Sequence, residues 1–83
     1  MQAAQITEQP YEVTDFPLAC FLRAIGYQIA GVRAGVGSRR FFLFEDGPER
    51  KRDVSKFYAG TALVDPSEFS RVIKDLKAML ADS

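Results

Sequence analysis

The chain has 83 residues, 47% hydrophobic and 27% charged, with one cysteine and no histidine or tryptophan. These values suit one small globular domain and exclude a disordered chain, an apolar membrane span of about 20 residues, or an internal disulfide staple. Net charge is zero but unevenly placed: residues 1–22 carry −3, residues 23–56 carry eight bases against four acids, and the rest carries −1.

Residues 1–10 read as a polar N-terminal arm without periodicity. Their start, Met1 to Gln5, lacks the basic and apolar stretches of a signal peptide. A cytoplasmic location is expected on that ground. Tyr11-Glu12-Val13 alternates as a short edge strand does. A helix follows, with Thr14 or Asp15 as its cap and Pro17 in the first turn. Leu18, Leu22 and Ile25 share one of its faces, Cys20 and Phe21 add apolar bulk, and Gly26 ends it.

Residues 27–36 and 39–45 then read as two strands joined by a Gly37-Ser38 reverse turn. In the second strand, Phe42 and Phe44 fall on one face and Phe41 and Leu43 on the other. Asp46 and Glu49 have the spacing of a reciprocal cap for a second helix. That helix is charged early and apolar at Val54, Phe57 and Tyr58, and Gly60 closes it. Ala62-Leu63-Val64 reads either as a third strand or as a buried linker. Asp65-Pro66-Ser67-Glu68 opens the last helix, in which Phe69, Val72, Ile73, Leu76, Met79 and Leu80 recur at steps of three and four. The order helix, hairpin, helix, helix predicts a single α+β domain over residues 11–83. Its helices pack on one face of a small antiparallel sheet of two strands, or three if residues 62–64 join it.

Several of these positions form a pattern: Thr14-Asp15 ahead of Ala19, Leu22 and Gly26; Phe42-x-Phe44-x-Asp46; Phe57-Tyr58-x-Gly60; Ala62-Leu63-Val64-Asp65-Pro66; and Asp75-Leu76-Lys77. The pattern covers most of the chain from Thr14 onward and resembles a family of small bacterial and phage-borne domains of unassigned function. The resemblance implies a bacterial or mobile-element setting and supplies no activity or functional residue.

Without histidine the chain lacks the commonest general base and metal ligand, and one cysteine rules out a thiolate zinc site. The acid pairs Glu45/Asp46 and Asp65/Glu68 sit at helix starts, where carboxylates serve as caps. Gly31, Gly35 and Gly37 fit neither a dinucleotide nor a P-loop spacing. No enzyme, cofactor or metal is expected, and Cys20 is expected to pack as a small hydrophobe.

Two surfaces remain. Arg33, Arg39 and Arg40 flank the hairpin turn, and Arg50, Lys51, Arg52 and Lys56 decorate the second helix. Bases so placed can neutralise phosphates, and exposed rings among Phe41, Phe42 and Phe44 can stack on nucleobases. A thin core claims at least two of those rings. The leading expectation is an accessory module that binds DNA, RNA or a nucleoprotein complex through these seven bases. The alternative is a subunit that self-associates or docks on a larger assembly through apolar helix surface.

Overall fold

Phe42 and Phe44 project from the same side of one strand, and the helices of the fold cover that side. The computed structural model describes residues 9–82. The expected N-terminal arm lies outside the described residues except for Gln9 and Pro10. The elements are β1 (Tyr11–Val13), α1 (Phe16–Ala24), β2 (Ile29–Ala34), β3 (Arg40–Phe44), α2 (Arg50–Ala59) and α3 (Pro66–Asp82). The architecture is α+β as expected.

The sheet has three antiparallel strands in the order β1-β3-β2. Val13 and Val32 both face Phe42, so the helix-facing row runs across all three strands. The third strand is thus supplied by Tyr11–Val13. Residues 62–64 take the linker alternative and form no strand. That linker is not fully buried: Ala62 and Val64 turn inward while Leu63 stands 89% exposed. Between Ile29 and Gly31 the register shifts, so Ala30 bulges from β2.

The hairpin closes where the sequence places it. Arg39 N–H donates to Val36 O at 3.2 Å, with Gly37 and Ser38 as the two central residues. Gly37 has φ +66° and no described non-glycine residue has a positive φ, the arrangement of a type II′ turn.

α1 is the centre of the core. Leu18 through Leu22 are five consecutive buried residues, which no single stripe explains. The helix is enclosed by the sheet on one side and by α2 and α3 on the others, as a helix apolar all round requires. Ile25, expected on the face of Leu18 and Leu22, lies beyond that enclosure and is 37% exposed. Phe42, Phe44, Val13, Val72 and Leu76 complete the buried set. Each such side chain contributes about 1.5–3 kcal/mol on burial. Phe69, Ile73, Met79 and Leu80 of α3 pack around this centre, so the core takes up the apolar stripe of α3.

Helix ends follow local chemistry. Gly26 N–H donates to Arg23 O and Tyr27 N–H to Leu22 O, closing α1 in a Schellman motif, and Gly60 and Thr61 repeat it on Phe57 O and Lys56 O. Both glycines hold positive φ, +116° and +78°. α3 starts as expected, with Asp65 Oδ2 accepting Glu68 N–H at 2.9 Å. The other two expected caps do not form. Asp15 sits at the N-cap of α1 but accepts no cap bond, and the tyrosine hydroxyl of α2, Tyr58, takes its Oδ2 at 2.8 Å. Asp46 accepts Gly47 N–H and the Arg50 guanidinium, leaving Glu49 at the N-cap of α2 without a side-chain cap bond. In both places a charged or phenolic donor within reach outcompetes the weaker backbone cap.

Candidate functional site

The seven basic side chains fall into two groups at opposite ends of β3. Arg39 and Arg40 stand at the turn, before β3 begins and at its first residue, whereas α2 opens beyond Phe44. Four strand steps of roughly 3.3 Å separate these ends. The two groups line separate hollows, Arg52 and Lys56 one and Arg39 and Arg40 another.

On α2, two of the four basic side chains are already engaged. Arg50 grips Asp46 with Nε at 3.0 Å and NH2 at 3.2 Å, and its guanidinium carbon lies 3.8 Å from the Tyr11 ring centroid. The bond between them holds the Asp46 carboxyl below its usual range and raises the Arg50 guanidinium. Arg52 pairs with Glu49 at 2.6 Å and Asp53 at 3.4 Å. Lys51 and Lys56 are exposed and make no ion pair with any described residue. Arg52 and Lys56 line a groove of about 400 Å³ whose other wall holds Phe21, Ile25, Ala62 and Leu63.

The hairpin end is different. Arg39 and Arg40 line a hollow of about 470 Å³ with Thr14, Val36 and Ser38. Val36, at the turn, is 92% exposed. Arg39 is exposed, and Arg40 is half-buried with NH1 donating to Arg39 O at 3.1 Å. Arg33 lies on the sheet face away from the helices. It pairs with Phe41 in register, and its guanidinium carbon sits 4.2 Å from the Phe41 centroid. Its NH2 donates to Glu12 Oε1 at 2.8 Å, spanning from β2 across β3 to β1.

Among the three phenylalanines, Phe42 and Phe44 are core and Phe41 remains half-buried on the outer face. Two rings are therefore lost to any stacking surface, as the demand of a thin core required. One contributor was missed: Glu12, which fixes Arg33. Opposite charges 21 positions apart carry no local signal, since their meeting depends on β1 and β2 both flanking β3.

The acid pairs do not act as pairs. Glu45 is exposed while Asp46 is committed to Arg50, and Asp65 is a helix cap while Glu68 holds Arg71. Cys20 is fully buried, and burial pushes its thiol up to about 11. It behaves as a packing residue.

Residues 8–82 match the family described as Domain of unknown function (DUF5659). The chain belongs to that family. The match runs from before β1 to the end of α3, so the DUF5659 domain holds all seven bases, Glu12 and Phe41. No curated protein and no solved structure matches the chain. Among the described residues, no helix is long and apolar enough to cross a membrane.

Proposed function

We propose that this domain is a non-catalytic accessory module, cytoplasmic and of bacterial or phage setting, that contacts nucleic acid through its hairpin. One observation carries the reading: Arg39 and Arg40 line one hollow at the turn with Arg33 on the neighbouring strand, and Arg39 is exposed and makes no ion pair with any described residue. Phosphates are neutralised by such clusters, while bases already paired with carboxylates contribute little. Lys51 and Lys56 are secondary contacts on this reading, and Arg50 and Arg52 serve the fold. A fluorescence-anisotropy titration against DNA and RNA at low salt tests it. Binding is expected that weakens with salt and is mostly lost in Arg39→Glu/Arg40→Glu, with the circular dichroism of the folded domain retained. No binding to either nucleic acid at about 100 µM, the weak end of non-specific affinity, overturns it.

A second reading rests on Leu63 and Ile25, which leave apolar surface open along the groove beside α2. A protein partner or second copy would cover it. Light scattering showing a dimer that Leu63→Ser dissociates would favour that reading over the first.

A further inference from the structure

We propose that Arg33 and Phe41 form a stacking plate for an unpaired nucleobase, which makes the ligand of the hairpin surface single-stranded. The inference rests on the nucleic-acid reading above and names the class of nucleic acid.

The plate is built from both sides. Beneath it, the Phe41 ring packs on bare backbone: a Cβ at Gly35 would lie 2.5 Å from Phe41 Cε2, so only glycine lets the ring settle there. Above it, the Arg33 guanidinium covers the ring at 4.2 Å. The Glu12 carboxylate holds that guanidinium laterally at 2.8 Å, and the Arg33 side chain is still 47% exposed. A planar, delocalised cation is therefore fixed on a sheet face that none of the described helices covers, with its side chain partly open to solvent. Bases stack on guanidinium planes as they do on aromatic rings.

Charge on this face selects the same ligand. Glu12 offsets the formal charge of Arg33, so Arg33 contributes chiefly its plane. Arg39, two residues from Phe41 along the same strand direction, is exposed and makes no ion pair with any described residue. It lies within roughly 7 Å of the plate along the chain, a position for the phosphate beside a stacked base. Duplexes hide their base planes within the stack, so a plate of this kind gains nothing from them.

The test is anisotropy on the full chain with three labelled probes: a 12-nucleotide oligothymidylate, its duplex, and an abasic strand of the same length. The single strand is expected to bind about tenfold tighter than the duplex or the abasic strand, the worth of one stacked base. Arg33→Lys keeps the charge and removes the plane. It is a surface change with no demand on the core, and it is expected to lose that tenfold preference, as is Phe41→Leu. Equal binding of strand and duplex, or an Arg33→Lys protein indistinguishable from the parent, overturns the plate. If equal binding still disappears in Arg39→Glu/Arg40→Glu, the plate alone has failed. If the parent binds none of the probes, nor any other nucleic acid, the nucleic-acid reading has failed with it.

Discussion

Tyr27 donates its phenolic proton to Asp53 Oδ2 at 2.7 Å, tying the turn after α1 to α2 across 26 positions of sequence. Burial, and then this bond, push the Tyr27 phenol up to about 12. The neutral phenol is thus favoured by the fold, whereas an unfolded tyrosine ionises near pH 10. The stability it contributes is complete below about pH 10 and is lost as pH rises toward about 12. Cys20, raised to about 11, acts in the same direction from about pH 9 upward. Urea midpoints are therefore expected to fall between about pH 9 and 12. Tyr27→Phe should cost about 1 kcal/mol near pH 7 and flatten the upper part of the fall. An unchanged slope above pH 10 would remove the bond as its source.

Gly35 and Gly31 provide a paired test of close approach. An alanine methyl at Gly35 would collide with the Phe41 ring, while at Gly31 it would meet nothing within 4 Å. Gly35→Ala is expected to destabilise by about 1–3 kcal/mol through overpacking. Gly31→Ala should be neutral or slightly stabilising, by up to about 1 kcal/mol, because it restricts the unfolded chain. Phe41→Leu in the Gly35→Ala background should recover part of the loss. Denaturant titrations of the four proteins check the set, and equal effects at both glycines would contradict it.

These two glycines also mark how far the sequence could be read. Strand parity placed Phe42 and Phe44 inside and Phe41 outside, and Asp65-Pro66 placed the start of α3, because each depends only on near neighbours. The third strand was harder. Tyr11-Glu12-Val13 and Ala62-Leu63-Val64 are both short apolar-containing segments, and only the pairing of β1 with β3 decides between them. The caps at Asp15 and Asp46 misled for a related reason. Each has cap spacing, but Tyr58 and Arg50 compete for the same oxygens, and one of those competitors is 43 residues away. The seven bases were legible as a charge cluster, but the pairing of Arg33, Arg50 and Arg52 with carboxylates was not. That pairing depends on which carboxylates the fold brings near.

The two acids with cap spacing make separate predictions. Asp65 accepts a true cap bond, so Asp65→Ala should cost about 1 kcal/mol by denaturant unfolding. Asp15 accepts only the Tyr58 hydroxyl from its side chain. Asp15→Ala and Tyr58→Phe should therefore each cost roughly 0.5–1 kcal/mol, and the double variant no more than the larger single effect. Strict additivity would show that Asp15 acts on α1 independently of Tyr58.

Arg50 and Arg39 separate fold from function on one measurement scale. Arg50 is clamped by Asp46 and stacked on Tyr11, which links the start of α2 to the edge strand β1. Arg50→Ala should cost about 1–2 kcal/mol in stability, since it removes a two-point ion pair and a cation–π contact that are both partly screened from water. Its effect on nucleic-acid affinity should be less than about twofold, because a clamped guanidinium has little charge left for phosphate. Arg39→Ala should show the reverse, near-native stability with weakened binding. Acid gives an independent check on the clamp. Arg50 lowers the Asp46 carboxyl, so the stability of the pair is complete above about pH 4 and is lost as pH falls through the lowered folded value. Asp46→Asn should thus be less stable than the parent at neutral pH and converge with it in strong acid. If Arg50→Ala instead weakens binding as much as Arg39→Ala, the start of α2 belongs to the contact surface, and the hairpin does not act alone.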